Sequence, residues 1–128
     1  MNKATELLKA AGTFYLATVE GDQPRVRPLG AVAEIDGKTY ICMNNTKKVF
    51  AQLKANPKAE LSGMAGQDWF RISANVIQDD RTEAREAVLS QNEMLRGMYK
   101  ADDGIYEVLY LDNAKGTLES FSGSKQEF

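Results

Sequence analysis

The sequence predicts one α+β domain over residues 1–128, in which an antiparallel β-sheet closes or nearly closes into a barrel with helices at its periphery. Three observations predict this class. About six or seven short runs of β-forming residues are separated by turn residues. Several amphipathic stretches of helical period lie between these runs. No repeat, linker or low-complexity segment divides the chain, and 43% hydrophobic residues can form a single core.

The first elements are a short helix and a hairpin. An apolar stripe predicts a helix from Thr5 to Ala11, which ends at Gly12 because glycine is the usual residue after a helix. Residues 13–19 and 25–35 are rich in β-forming residues. The turn at Gly21-Asp22 predicts that these two strands pair.

A second hairpin and a second helix follow. Asp36-Gly37 lies between apolar runs and is a strong hairpin signal, so residues 38–43 are expected to add a third contiguous strand. An amphipathic helix then opens near Thr46 and stops at Asn56-Pro57, because proline cannot continue a helix.

The next strands, residues 58–65 and 68–78, are predicted to pair around Gly66-Gln67. Their alternation places one set of side chains on a buried face: Phe70, Ile72, Ala74 and Val76. The opposite face carries Trp69, Arg71, Ser73 and Asn75. Trp69 is open to two interpretations, a cofactor wall or a subunit contact, because large aromatic residues serve both.

The last third of the chain predicts a helical region and two final strands. A charged helix runs from Asp79 to Ser90, and residues 93–99 add a turn or two with Met94, Leu95 and Met98 directed inward. The final strands, residues 105–111 and 115–121, are joined by a turn at residues 112–114. Residues 122–128 are predicted to form a polar tail.

Composition excludes several functional classes. The net charge of −2 and the pI near 5.2 argue against a nucleic-acid-binding surface. The chain has no histidine and one cysteine, Cys42, so we expect no metal site, no histidine-ligated haem and no internal disulfide. The N-terminus is amphipathic and has no apolar signal core, so a cytoplasmic protein without membrane association is expected.

The segment Asn44-Asn45-Thr46-Lys47-Lys48 is the most informative in the chain. A helix N-terminus carries partial positive charge and unpaired N–H groups, so aspartate or glutamate would be favoured there. Two lysines after a small hydroxyl residue instead predict a phosphate-binding corner. The alternative is a solvated basic first turn capped by Asn45.

A second basic element precedes it in the chain. Arg25 and Arg27 alternate with Val26 at the start of a strand, so both arginines lie on one face. Pro24 and Pro28 restrict this segment to a strand start, an edge or a bulge. A charge-protected strand edge is the alternative interpretation, but together with the lysine corner the arginines favour a small-anion site.

At this point the sequence resembles the pyridoxamine 5′-phosphate oxidase-like family of FMN-binding split barrels, in particular its small stand-alone members. The resemblance covers nearly the whole chain. It depends on the order and spacing of five blocks: Phe14 to Thr18, Arg25 to Gly30, Asp36 to Tyr40, Asn44 to Lys48, and Trp69 to Ser73.

The resemblance implies an antiparallel split β-barrel and a set of FMN-binding residues. Arg25 is expected at the FMN phosphate with Arg27 nearby, and Thr46, Lys47 and Lys48 are expected at the same phosphate. Trp69 falls where larger relatives carry a glutamine that contacts flavin from the neighbouring subunit. The full implied set is Arg25, Val26, Arg27, Pro28, Leu29, Met43, Asn44, Thr46, Lys47, Lys48 and Trp69.

The same resemblance implies a homodimer with flavin at the subunit interface and an FMN-dependent oxidoreductase acting on an unidentified small substrate. Because the chain lacks the longer C-terminal region of true pyridoxamine phosphate oxidases, oxidation of vitamin B6 is not expected. No side-chain acid or base is predicted, because the flavin carries the redox chemistry. Three alternatives remain: a non-catalytic electron carrier or flavin reservoir, a deazaflavin protein, and a cofactor-free dimer that binds another small anion.

Overall fold

The computed structural model describes residues 1–128 as eight strands, three α-helices and one 3₁₀ turn. The helices are α1 (Lys3–Ala11), α2 (Lys48–Ala55) and α3 (Thr82–Gln91), and the 3₁₀ turn is Glu93–Gly97. The strands are β1 (Phe14–Glu20), β2 (Gln23–Leu29), β3 (Ala33–Ile35), β4 (Lys38–Asn44), β5 (Lys58–Ala65), β6 (Asp68–Asp79), β7 (Tyr106–Glu119) and β8 (Lys125–Glu127). The predicted α+β class is confirmed.

All eight strands form one antiparallel sheet, in the order β2-β1-β5-β6-β7-β4-β3 with β8 added beside β7. β2 and β3 lie at opposite ends of this order, yet only Gly30 to Val32 connect them. Three connecting residues span roughly 14 Å at most. The two ends of the sheet must therefore lie close together, so the sheet curls into a barrel that is split between β2 and β3.

The core has two parts, divided by β4 and β7. The first fills the barrel and is closed by α1 and α2; Leu8, Phe14 and Phe70 are among its fully buried side chains. The second lies under α3, where Val88 and Tyr106 are buried. β4 and β7 contribute to both parts, so they are buried on both faces and have near-continuous apolar sequences. No helix of the chain is long and apolar enough to cross a membrane.

The prediction of one strand over residues 25–35, and of three contiguous strands, is wrong. β2 pairs with β1 at one end of the sheet order. The chain then passes through Gly30 to Val32 and begins β3 at the other end. Both predicted hairpins do form, β1 with β2 and β3 with β4. Turn residues determine which neighbouring strands form a hairpin. The separation of the two hairpins in the sheet depends instead on pairing with strands that are distant in sequence.

The predicted turn at residues 112–114 is also wrong, because β7 runs without interruption from Tyr106 to Glu119. Asn113 has a φ of 55°, and the register between β6 and β7 shifts between Ser73 and Asn75. The left-handed residue is thus part of a β-bulge, which uses the same turn-forming residues as a hairpin loop.

The predicted polar tail instead forms β8, which pairs with the end of β7. Phe128 exchanges two backbone hydrogen bonds with Gly116, and its ring packs against the first core. An alanine Cβ at position 116 would lie 2.3 Å from the Phe128 ring and 2.7 Å from the Arg71 carbonyl oxygen. Gly116 therefore provides the space that docks the C-terminal strand.

Candidate functional site

The largest cavity, of about 610 Å³, lies beside the split in the barrel. The end of β2 and the connection to β3 form one wall, and the end of β4 and the start of α2 form another. The segment after α3 forms the third wall. The lining residues are Arg27, Pro28, Leu29, Gly30, Ala31, Cys42, Met43, Asn44, Lys47, Lys48, Val49, Asn92, Met94, Leu95, Met98 and Tyr99.

The start of α2 gives this cavity a positive end. α2 begins at Lys48 with Lys47 at the N-cap, no side chain caps it, and its first turn has no acidic residue. The Phe50 N–H donates to the Lys47 carbonyl at 3.2 Å, whereas the first two N–H groups of α2 have no partner within the helix and remain available to a ligand. The chain's lysine hydrogen bonds and ion pairs involve Lys3 and Lys54, which leaves the Lys47 and Lys48 ammonium groups unpaired.

The loop before α2 is held by its asparagines. The Asn44 side-chain oxygen accepts hydrogen bonds from the Thr46 backbone N–H at 2.8 Å and the Thr46 hydroxyl at 2.7 Å. Asn45 donates to the buried Glu107 carboxylate at 2.8 Å and to the Gly104 carbonyl at 2.9 Å. Asn45 therefore does not cap α2, so the capping part of the alternative interpretation is wrong, although Lys47 and Lys48 are exposed as that interpretation expects.

Arg27 adds a partly buried cation to the same end. Its guanidinium donates to the Leu16 carbonyl at 3.0 Å, the Thr18 hydroxyl at 2.7 Å and the Gln52 side-chain oxygen at 2.8 Å. These bonds use three of the five N–H donors of an arginine, so two remain for a ligand. Burial lowers the pKa of Arg27, with a smaller effect from the nearby Arg25. A bound anion would stabilise the charged form of this partly desolvated guanidinium.

Arg25 lies on the same face of β2 as Arg27 but does not line the cavity. It pairs with Glu20, at 2.9 Å between the guanidinium and a carboxylate oxygen, and this pairing lowers the pKa of Glu20. Glu20 also accepts a longer hydrogen bond from Gln52. Arg25 therefore does not reach the cavity, but through Glu20 and Gln52 it belongs to the hydrogen-bond network that holds Arg27.

The cavity brings together seven residues of the set implied by the resemblance: Arg27, Pro28, Leu29, Met43, Asn44, Lys47 and Lys48. Four others lie outside its lining: Arg25, Val26, Thr46 and Trp69. Thr46 adjoins the lining through Asn44. Val26 and Trp69 point to the outer face of the sheet, where the Trp69 and Phe121 ring centroids are 4.9 Å apart. Their roles stay predictions.

The third wall was missed by sequence reasoning. Met94 and Met98 were expected inward in the core, but their side chains are 86% and 68% exposed and line the cavity. Their spacing of four fits a buried helical stripe, yet this segment is a 3₁₀ turn with no buried residue. The neighbouring charges at Glu93 and Arg96 were the available signal that the segment lies at the surface.

Titratable groups at the apolar end are neutral at ordinary pH. Burial raises the pKa of the Cys42 thiol to about 11. Burial also raises the pKa of Tyr99, whose ring stacks on Tyr106 with centroids 5.0 Å apart. The cavity thus has a cationic end at α2 and an uncharged, apolar end at Cys42 and the methionines.

The fold and cavity define a class: a small antiparallel split-barrel protein whose cavity has a cationic end and an apolar end. The family model described as pyridoxamine 5′-phosphate oxidase matches residues 1–112. The chain therefore belongs to the pyridoxamine 5′-phosphate oxidase family, as its sequence blocks indicated.

Solved structures agree with this assignment. A NimC/NimA family protein from Clostridium acetobutylicum is 52% identical, with a TM-score of 0.96 over 98% of this chain and 89% of that one. A protein related to general stress protein 26, also from Clostridium acetobutylicum, is 16% identical, with a TM-score of 0.75 over 98% of this chain and 91% of that one.

A FAD-binding protein from Mesorhizobium loti is 16% identical, with a TM-score of 0.60 over 94% of this chain and 96% of that one. The two relatives at 16% identity share the fold. A search of curated proteins gave no match.

Proposed function

We propose that this protein binds FMN in the cavity beside the barrel split and acts as an FMN-dependent oxidoreductase on a small substrate. One observation carries the proposal: two unpaired lysines, a partly buried arginine and an uncapped helix N-terminus converge on one end of a cavity whose other end is apolar. FMN has the matching polarity, with a dianionic phosphate at one end and a flat ring at the other.

The residues present fit this cofactor. The N–H groups at the start of α2 and the Lys47 and Lys48 ammonium groups would hold the phosphate. The two remaining donors of Arg27 would add charge-assisted hydrogen bonds. Asn44 and Met43, at the end of β4, would line the path of the chain that joins phosphate to ring. The apolar end of the cavity would exclude water from the ring.

Bound flavin supplies the hydride or electron transfer. The chain's own residues would bind and orient this cofactor. Lys47, Lys48 and Arg27 neutralise the phosphate, and the Gln52 and Thr18 contacts fix the direction of the Arg27 guanidinium. No histidine is available for proton transfer, and the Cys42 thiol stays protonated. Protons required by the reaction would come from the cofactor or from water.

The proposal includes a homodimer with flavin at the interface. The outer face of β2, β1, β5 and β6 carries exposed apolar side chains at Tyr15, Val26 and Met64 and the half-buried Trp69, with the exposed Phe121 against Trp69. Contiguous exposed apolar surface of this kind is typical of subunit contacts. Val26→Asp should therefore give a monomer in light scattering and weaken FMN binding; a dimer with unchanged FMN affinity would contradict this part.

The direct test of the cofactor assignment is FMN titration of the apoprotein, monitored by flavin fluorescence. Lys48→Ala and Lys47→Ala should each weaken FMN binding about 10-fold, since each removes a charge-assisted contact that is only partly desolvated. Lys58→Ala is the matched control, because Lys58 is an exposed lysine at the start of β5. Equal affinities for all variants would contradict the assignment.

Catalysis is tested separately from binding. An oxidoreductase should turn over FMN with a nicotinamide reductant and an organic acceptor. An electron carrier would hold FMN but reduce no small molecule at a useful rate, and this is the second candidate function that the same cavity supports. A cytoplasmic location stays a prediction.

A further inference from the structure

A buried carboxylate lies next to the loop that precedes α2. Glu107 is on β7 and is 7% exposed, and it does not line the cavity. Three side chains from other parts of the chain donate hydrogen bonds to it: Asn45 from the loop at 2.8 Å, Gln78 from β6 at 2.9 Å and Arg85 from α3 at 3.4 Å. Because a buried carboxylate without such partners would destabilise the fold, Glu107 and its donors form one unit.

The two oxygens of this carboxylate have separate partners. Oε1 accepts from Gln78 and from Arg85, whose guanidinium also supplies the opposite charge. Oε2 accepts from the Asn45 amide. The first oxygen therefore ties Glu107 to β6 and α3, and the second oxygen holds Asn45.

Asn45 attaches the loop before α2 to the start of β7. Its backbone N–H donates to the Ile105 carbonyl at 2.8 Å, and its amide donates to the Gly104 carbonyl at 2.9 Å as well as to Glu107. Asn45 is two residues before Lys47, the N-cap of α2. A chain anchored this close to a helix has little freedom to move the first turn, so the position of Asn45 sets the position of the cationic end of the cavity.

A charged anchor is more than stability alone requires at this position. Buried ion pairs contribute little net stability compared with well-packed apolar groups, but hydrogen bonds to a charged group are strong and directional. Groups that bind a ligand must be held within about 0.5 Å of their productive geometry. Arg85 offsets the charge of Glu107, so this carboxylate holds Asn45 without opposing an anion at α2.

We propose that Glu107 is a positioning residue for the phosphate of the bound cofactor, and that it acts through Asn45. The loop that Asn45 anchors presents Lys47, Lys48 and the first two N–H groups of α2 in one fixed arrangement. Neither Glu107 nor Asn45 lines the cavity, so neither touches the cofactor. The inference rests on the proposed function, because the phosphate is that of FMN.

Glu107→Gln gives a sharp test, because its two effects on FMN binding have opposite signs. The change removes a negative charge near an anion site and leaves Arg85 without its counter-charge, so electrostatics alone would tighten FMN binding. The new side-chain oxygen stays with Gln78 and Arg85, which directs the new N–H₂ group at the Asn45 amide, also a donor, and releases the loop. The positioning role therefore predicts FMN binding about 5-fold weaker in a fluorescence titration of the apoprotein.

Two further variants show whether Glu107 acts through Asn45. Asn45→Ala removes the amide and should weaken FMN binding about 10-fold. The double variant should be no weaker than Asn45→Ala, because the effects of residues that act through one another are not additive. Asp79→Asn is the matched control, since Asp79 is another buried carboxylate bonded to an arginine but has no contact with the loop. Its FMN affinity should equal that of the wild type.

Riboflavin separates positioning of the phosphate from general damage to the fold. It lacks the phosphate of FMN, so its affinity should not change in Glu107→Gln or Asn45→Ala. Equal losses for both ligands would overturn the inference, as would unchanged or tighter FMN binding in Glu107→Gln, or additive losses in the double variant. If Glu107→Gln does not fold, Asn45→Ala carries the same comparison of FMN with riboflavin.

The two proposals fail in different ways. Hydrogen exchange at the Thr46 and Lys47 amides, which are bonded within the loop, needs no FMN. It should accelerate in the Glu107→Gln apoprotein but not in Asp79→Asn, and an unchanged rate would overturn the inference without any cofactor. If the wild type binds no FMN, the proposed function fails, and the phosphate role of Glu107 fails with it. If Lys48→Ala weakens FMN binding but Glu107→Gln does not, only the inference about Glu107 is overturned.

Discussion

The Arg27 guanidinium on β2 donates a hydrogen bond of 2.8 Å to the side-chain oxygen of Gln52 on α2. This contact joins the edge strand of the barrel to the helix whose N-terminus forms the cationic end of the cavity. Gln52 is buried and also accepts from the Thr18 hydroxyl. The buried Gln52 thus sets the orientation of Arg27, the side chain that is a candidate for binding the phosphate.

Gln52→Leu should destabilise the protein and weaken FMN binding. The change leaves Thr18 and one Arg27 donor without their acceptor, which costs about 1–3 kcal/mol in the free energy of unfolding. Urea denaturation measures this loss. Gln23→Leu is the matched control, because Gln23 is exposed on β2 and its side chain contacts only the Pro24 carbonyl. Equal denaturation midpoints for the two variants would contradict the role of Gln52.

Cys42 should react slowly with iodoacetamide at pH 8. Its pKa is raised to about 11 by burial, and alkylation requires the thiolate. The thiolate fraction therefore stays small until the pH approaches that value. Bound FMN should slow the reaction further, because Cys42 lines the cavity. Mass spectrometry measures the rate, with urea-unfolded protein as reference. Labelling of the folded protein at the unfolded rate would be inconsistent with this environment.

Asp79 should make stability depend on acid pH. Hydrogen bonds from Arg81 are the largest cause that lowers the pKa of Asp79, and the Tyr40 hydroxyl adds another at 2.7 Å. A carboxyl with a lowered folded pKa stabilises the protein above its unfolded pKa, roughly 3.9, and this stabilisation is lost as the pH falls below that value.

The measurement is the free energy of unfolding of wild type and Asp79→Asn between pH 7 and pH 3. The wild type should be more stable at pH 7, and the difference should shrink toward pH 3 because Asp79 is protonated in the unfolded chain while it stays ionised in the folded protein. A constant difference across this range would show that the Asp79 charge does not contribute.

Tyr40 adds the opposite dependence at alkaline pH. Burial and the Asp79 hydrogen bond raise its pKa to about 12. A raised folded pKa contributes stability that is present below the unfolded value, near 10, and lost as the pH rises toward 12. The same titrations, extended to pH 11.5, should show wild type losing more stability than Tyr40→Phe.

Gly116→Ala should displace the C-terminal strand. The new Cβ would overlap the Phe128 ring and the Arg71 carbonyl, and overpacking of this kind costs about 1–3 kcal/mol. Hydrogen exchange at the amides of β8 should accelerate, and the denaturation midpoint should fall. Gly97→Ala is the control, since nothing lies within 4 Å of its Cβ and its φ is not positive. A loss of stability as large in the control would contradict this explanation.

Sequence reasoning predicted the elements that depend on local signals. Asp36-Gly37 and the Asn56-Pro57 stop lie where turn and helix rules place them. The alternation over Phe70 to Val76 gave the correct buried face. The position of Lys47 and Lys48 at the start of a helix was also predicted correctly, and phosphate binding there stays a prediction that depends on the conflict of their charge with the ordinary preference of a helix N-terminus.

What could not be predicted depends on distant partners. Residues 112–114 have the composition of a turn, but β6 pairs with β7 on both sides of them and keeps the strand continuous. Met94 and Met98 have the spacing of a buried helical stripe, but they lie in a surface segment after α3 and both side chains are exposed. Arg25 and Arg27 look equivalent in sequence, but in the structure Arg25 pairs with Glu20 and Arg27 donates to Gln52.

The most direct test of the account is a visible absorption spectrum of the purified protein, recorded before and after incubation with FMN and desalting. The account predicts retained flavin bands at about one FMN per chain, with the bands lost on desalting when Lys47 and Lys48 are both alanine. Colourless protein after desalting, or equal retention by the double variant, would contradict the claim that the cationic end of this cavity binds FMN.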